Sequence, residues 1–142
     1  MPRHSMAALV LFVALALAGC ETLSAVGGTD TLVQLLTSQL GVTQNQATGG
    51  VGSILSLAKE KLSGVNFSTL ANLIPGADQF MKRAQDLGAV TGPVGDQTGL
   101  AAAFSRLGMG SDMVGKFGQV LSDFVGKTGG EPARNLLASV LQ

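Results

Sequence analysis

The chain has 142 residues, 46% of them hydrophobic and 13% charged, with nine Lys plus Arg against nine Asp plus Glu. That length holds one ordinary domain and a short appendage, and a net charge of zero supplies no basic footprint for a phosphate backbone, which argues against nucleic acid as a partner. A single cysteine, Cys20, and a single histidine, His4, leave no internal disulfide and no Cys-based zinc site; with neither Trp nor Tyr present, stacking on bases or sugars would fall to Phe alone.

Residues 1–20 read MPRHSMAALVLFVALALAGC: a basic start at Arg3, an unbroken apolar run from Met6 to Leu17, then small residues up to Cys20. This is the three-part layout of a secretory signal. At ~1.5 Å per helical residue the apolar run of about 12 residues reaches roughly 18 Å, well short of the ~30 Å hydrocarbon core, so it makes a poor transmembrane span. Leu17-Ala18-Gly19-Cys20 resembles the lipobox of bacterial lipoprotein signal peptides. The resemblance implies a signal peptide over residues 1–19, a diacylglycerol thioether on Cys20, cleavage between Gly19 and Cys20, and acylation of the freed amine by a chain such as palmitate.

The residue types suit that chemistry. A thiolate is a strong nucleophile, and Ala18 and Gly19 leave the neighbouring peptide bond open to a peptidase. An exposed unpaired thiol is a liability in an oxidising compartment, and lipidation removes it. The competing readings are an ordinary cleaved signal that ends near a free Cys and an uncleaved short anchor. Each buried methylene contributes ~0.8 kcal/mol and one acyl chain holds only marginally, so two or three chains on Cys20 would give lasting membrane attachment. Glu21 stands where Asp would mark retention at the inner membrane, which by the same resemblance implies the outer membrane of a bacterial envelope, facing the periplasm. Residues 20–29 are then the lipidated Cys and a flexible tether; ETLSAVGGT spans at most ~30 Å when extended.

From Asp30 onward the apolar residues recur at helical spacing and none of the segments alternates usefully, which predicts an all-α domain over residues 30–142, a bundle of about six or seven short helices. Asp30 and Thr31 suit the N-cap of a first helix with Leu32, Val33, Leu35, Leu36 and Leu40 inward, and Gly41 is placed to end it in the left-handed conformation. Thr43 caps a second helix with Gln46 as its capping-box partner, and Ala47, Val51, Ile54, Leu55, Ala58 and Leu62 form one stripe. Within that stripe Gly49, Gly50 and Gly52 cost ~1 kcal/mol each relative to Ala. Ser63 and Gly64 precede a short third helix with Phe67, Leu70, Ala71 and Ile74 inward, closed by Pro75-Gly76. A fourth runs from Asp78 to about Leu87 with Phe80, Met81, Ala84 and Leu87 inward, and the glycine-rich stretch 88–99 then reads as a linker between halves 30–87 and 100–142.

The second half begins with Leu100, Ala103, Phe104 and Leu107, stops at Gly108, and resumes at Ser111 or Asp112 with Met113, Phe117, Val120, Leu121 and Phe124 inward. Gly126, Gly129 and Gly130 are expected to close that helix. Glu131-Pro132 then opens a last one with Ala133, Leu136, Leu137 and Val140 as its core face, Pro sitting where its missing N–H costs nothing. The halves can be aligned. Leu40-Gly41 matches Leu107-Gly108; Val51, Ile54, Leu55 and Ala58 match Phe117, Val120, Leu121 and Phe124; Phe67, Leu70, Ala71 and Ile74 match Ala133, Leu136, Leu137 and Val140. Two similar three-helix halves and two amphipathic stretches in chance register both account for this.

LTSQLGVTQNQATGGVGSILSLAKEKLSGVNFSTLANLIPGAD, then a glycine-rich gap, then FSRLGMGSDMVGKF and GGEPARNLLASVL, resembles the VcgC/VcgE-like family of bacterial proteins of unknown function. The resemblance covers most of residues 30–142, and its specific part is GVTQNQATGGVGSILSLAK. It implies a helical domain and carries over no catalytic residues.

Two motif matches read better as structure than as chemistry. Gly110 to Lys116 (GSDMVGK) has the glycine spacing of a phosphate-binding loop, yet Phe117 stands where Ser or Thr must hold magnesium, and a preceding strand is missing. Ser56-Leu57-Ala58-Lys59, Ser122-Asp123 and Lys127-Thr128-Gly129 match fragments of penicillin-recognising enzymes, but Phe124 replaces the Asn and the last two fragments are too close to line opposite walls of a cleft. Asp78 with Lys82, Asp112 with Lys116, and Asp123 with Lys127 are each spaced as surface pairs on helices, worth ~0.3–0.5 kcal/mol. Charge at 13% against a typical ~25% leaves exposed faces of Gly, Ala, Ser, Thr and Gln, and Gly49, Gly50, Gly52, Gly115 and Gly118 admit close helix approach, within the monomer or in self-association. The expectation is a membrane-anchored, non-enzymatic envelope lipoprotein with a structural or protein-interaction role, an envelope protein as partner, and no cofactor or metal. The alternative is a carrier whose Leu, Phe and Met stripes, including Met81, Met109 and Met113, enclose an acyl chain or other apolar ligand.

Overall fold

The structure, a computed structural model, describes residues 29–142. Six α-helices follow one another, α1 (Thr29–Leu40), α2 (Gln44–Lys61), α3 (Gly64–Asn72), α4 (Ala77–Asp86), α5 (Gln97–Arg106) and α6 (Asp112–Val140), and no strand occurs among the described residues. The protein is an all-α bundle.

α1 buries Leu32, Val33 and Leu36, and Gly41 ends it at φ +67°, a conformation that a Cβ would strain. The helix starts at Thr29, so Asp30 and Thr31 lie in its first turn rather than capping it. Three residues later α2 opens on a complete capping box: the Gln46 amide N–H donates to Thr43 Oγ1 (3.2 Å), and the Thr43 N–H donates to Gln46 Oε1 (3.0 Å). The same Gln46 side chain reaches across the bundle, its Nε2 donating to the Leu107 carbonyl at 3.1 Å. One residue thus fixes a helix start and the end of α5.

α2 is the axis of the fold and packs on each of the other five helices. The expected stripe of Ala47, Val51, Ile54, Leu55 and Ala58 is fully buried, while Leu62, expected inside the helix, is its half-buried C-cap. Burial does not stop at the stripe. Gly49, Gly50, Gly52, Ser53 and Leu57 are buried as well, because the middle of α2 is packed around most of its circumference and only its two ends are exposed. The buried Ser53 hydroxyl is satisfied by donating to the Gly49 carbonyl at 2.8 Å.

The three α2 glycines are the points of closest approach. A Cβ at Gly52 would overlap the Phe80 carbonyl oxygen of α4, one at Gly50 would overlap the Phe117 ring of α6, and one at Gly49 would sit 2.7 Å from a Leu107 methyl. These glycines are therefore used inside the monomer. Phe117, lying over Gly50, meets Phe104 of α5 edge to face, with ring centroids 5.0 Å apart and planes at 78°. That geometry suits the ring quadrupoles and is worth ~0.5–1.5 kcal/mol beyond area burial.

α3 is capped by Ser63, whose Oγ accepts from the Asn66 N–H at 3.4 Å, and α4 follows Gly76 at φ +77°. α4 buries Ala77, Phe80 and Ala84, packs Met81 partly buried beside them, and is otherwise polar. The glycine-rich stretch that follows is packed rather than free. Ala89, Val90 and Val94 are buried, and α5 begins at Gln97 with Asp96 as its cap, inside the stretch expected to be linker.

α6 is one run of helix with a break. Gly130, at φ +73° and ψ −162°, is the single non-helical residue inside it and divides the helix into arms 112–129 and 131–140. Gly126 and Gly129, expected among the closing residues, lie within the first arm. They are small because Arg134 crosses Gly126 and Leu73 of the α3 C-cap lies on Gly129. Pro132 falls in the first turn of the second arm. Of the matched positions, Gly41 and Gly108 both have positive φ and Ile74 and Val140 are both buried, whereas Leu70 is buried and its match Leu136 half-buried, and Ala71 is half-buried and its match Leu137 buried.

Candidate functional site

An open groove of about 410 Å³ runs between the second half of α2, α4 and the loop after α4. Ser56, Lys59 and Glu60 come from α2, Asp78, Met81, Lys82 and Gln85 from α4, and Val90, Gly92 and Pro93 from the loop. Its ionic side chains balance, two lysines against two carboxylates. The Glu60 carboxylate is committed to the fold: Oε1 accepts the Val94 N–H and Oε2 the Gly95 N–H, both at 2.7 Å. From the other side Arg106 Nη1 donates to the Ala89 carbonyl at 3.1 Å and to Thr91 Oγ1 at 3.4 Å. A loop pinned to the core through Ala89, Val90 and Val94 needs partners for its backbone groups, and these two side chains supply several of them.

The motif fragments do not converge. Ser56 and Lys59 lie on this groove, and the Ser56 hydroxyl donates to the Gly52 carbonyl at 2.8 Å. Ser122 and Asp123 line a different groove, about 510 Å³, between the arms of α6 with Gly115, Gly118, Arg134 and Leu141. Thr128 donates to the carbonyls of Phe124 and Val125 in its own helix. The Ser56 and Thr128 hydroxyls thus back-bond to a preceding turn, and neither meets a general base.

The segment Gly110 to Lys116 is the start of a helix. Met113 N–H donates to the Gly110 carbonyl (3.0 Å) and Val114 N–H to the Ser111 carbonyl (3.2 Å), so those amides are turned into α6 and away from any phosphate. Lys116 pairs with Asp112 at 3.5 Å, as its spacing predicts. Asp123 does not pair with Lys127; it meets Arg134 at 3.2 Å, because the break at Gly130 folds the second arm back and brings Arg134 over Gly126. Arg134 also lies 3.7 Å from Glu131. Asp78 and Lys82 share the first groove without closing to an ion pair.

Among the described residues no group of three or more His, Cys, Asp and Glu is gathered, and no helix is long and apolar enough to cross a membrane. Residues 16–142 match the model of the family described as protein of unknown function VcgC/VcgE (DUF2780). The chain belongs to this family. No curated protein and no solved structure matches it. The VcgC/VcgE match starts upstream of Cys20 and is wider than the 30–142 that carried the resemblance in sequence.

In this VcgC/VcgE chain the aromatic and sulfur side chains considered as a ligand lining pack on one another. Phe80, Phe104 and Phe117 are among the largest fully buried residues, Met109 is 6% exposed, and Met81 and Met113 pack partly buried on the same core. Cys20, the expected signal peptide over residues 1–19 and the expected tether over 20–29 lie outside the described residues, except for Thr29, which opens α1. Sequence reasoning missed Glu60, Arg106 and the cross-bundle reach of Gln46. Only the Arg134–Glu131 spacing carried a local signal; the other contacts join positions far apart in the chain.

Proposed function

We propose that this VcgC/VcgE protein is a lipid-anchored component of the bacterial envelope whose helical domain has a structural or protein-interaction role at the outer membrane, facing the periplasm, and performs no catalysis. The observation that carries the reading is Leu17-Ala18-Gly19-Cys20 at the end of a short apolar run with a basic start. Attachment through Cys20 gives a membrane address to a domain whose own described helices are too short or too polar to span. Support for a non-catalytic role comes from the hydroxyls of Ser56 and Thr128, which are spent on their own helices, and from Glu60, which is spent on a loop. The filled core favours an interaction role over carriage of an apolar ligand.

The test is metabolic labelling with palmitate, with Cys20→Ala beside the parent protein. The label is expected on the parent and absent from the variant, which should also keep its leader. An unlabelled parent protein would sink the proposal. Crosslinking in intact cells, with identification of what is captured, then tests the interaction role; a protein that crosslinks to nothing in the envelope refutes it.

A further inference from the structure

We infer that the outer face of α1 is the surface this domain lays on the lipid headgroups, an inference that rests on Cys20 carrying the anchor. From Thr31 to Ala58 the chain contains no Asp, Glu, Lys or Arg, so the outer face of α1 after its first turn and the whole first half of α2 are uncharged. The charged side chains gather elsewhere, with Asp78, Lys82, Arg83 and Asp86 on α4 alone. α1 packs only on α2 and α6 and touches neither α4 nor α5. Thr31, Gln34 and Ser38, with half-buried Leu35 between them, line an open groove of about 400 Å³ formed by α1 alone. Among the described residues no other helix lines it.

The tether selects the bilayer as the occupant. The chain from Cys20 to Thr29 spans at most ~30 Å even when fully extended, and it joins the described structure at the first residue of α1. The helix held nearest the anchor is thus one of the least charged. With a net charge of zero the domain as a whole is neither drawn to nor pushed from a charged surface, so the tether and local desolvation select the face that meets it. A face carrying lysines and carboxylates loses hydration when pressed on a low-dielectric slab. Hydroxyls and amides such as Thr31, Gln34 and Ser38 exchange water for phosphate and ester oxygens at little cost.

The chain lacks Trp and Tyr, so one introduced Trp is its only indole. Full-length Gln34→Trp and Gln85→Trp proteins, processed in cells and reconstituted in phosphatidylethanolamine–phosphatidylglycerol vesicles containing a headgroup nitroxide lipid, compare α1 with α4. Both sites are exposed, so neither change disturbs the core, and Ser38→Trp repeats the α1 measurement. With acyl chains found on Cys20 by mass, quenching at position 34 is expected to be roughly twofold or more that at position 85. Equal or reversed quenching overturns the inference while leaving the anchor intact. A Gln34→Trp indole that is blue-shifted but unquenched also overturns it, because a second copy or another protein then covers α1. A bare Cys20 overturns the anchor itself and this inference with it.

Discussion

Replacing Gly52 by Ala sets two effects of opposite sign against each other. Helix propensity alone favours Ala in α2 by about 1 kcal/mol. The tertiary structure opposes it: the new Cβ would overlap the Phe80 carbonyl oxygen and lie 2.6 Å from its carbon and 2.8 Å from the Ala84 Cβ. The obstacle is backbone, which cannot rotate away, so α4 must move as a body. Phe80 and Ala84, 2% and 0% exposed, then lose packing against α2. A clash with backbone takes the upper end of the ~1–3 kcal/mol that overpacking costs, and complete loss of a buried Phe sets a ceiling of ~5, so with the propensity gain of about 1 subtracted the expected net loss is about 2–4 kcal/mol. Gly115→Ala is the matched control, since Gly115 is exposed on α6 with nothing within 4 Å of its Cβ, and it should gain ~0.5–1 kcal/mol. Urea unfolding of a soluble form starting at Thr29, followed by far-ultraviolet circular dichroism, reads both changes. A Gly52→Ala protein as stable as its parent, or more so, would refute backbone contact between α2 and α4.

Glu60→Gln leaves one side-chain oxygen to accept two N–H groups, so the amides of Val94 and Gly95 should exchange with solvent faster and stability should fall by about 1–2 kcal/mol. Unchanged exchange at both amides would show that the clamp does not hold the loop. Gly130→Ala places a Cβ at φ +73° and ψ −162°, a region almost confined to glycine, and should cost ~1–3 kcal/mol in the same urea assay. Gln46→Ala removes half of the capping box and the bond to the Leu107 carbonyl together, for an expected loss of about 1–2 kcal/mol; Thr43→Ala, which removes only a cap, should cost about 1. Equal losses for the two would mean that the reach to α5 contributes nothing.

What could be read in advance was what depends on neighbours in the chain. Gly41 and Gly108 were legible because a helix must end somewhere and glycine tolerates positive φ. Thr43 with Gln46 was legible because a capping box lies within one turn. The Asp112–Lys116 pair was legible for the same reason, whereas Asp123 was misassigned to Lys127 because its partner stands beyond a break whose effect on direction no local rule supplies. Gly126 and Gly129 looked like terminators and are packing glycines. A glycine that ends a helix and one that admits Arg134 or Leu73 are the same residue until the neighbour is known. The candidate site was less legible still, since Glu60 reads as one charge in a Lys-Glu-Lys run and its partners lie in a loop that composition marks as free.

The order of residues by itself determined that the chain is helical, roughly where each helix stops, and that a short apolar run near the N-terminus is followed by a lone cysteine beside small residues. Periodicity, caps and stop signals are short-range, and short-range energies are written in adjacent letters. Only the tertiary structure decided that the middle of α2 is enclosed, that its glycines receive the backbone of α4 and the ring of Phe117, and that no other described helix covers the uncharged face of α1. Those outcomes depend on which surfaces exclude water from one another, and close packing answers that for all the helices at once.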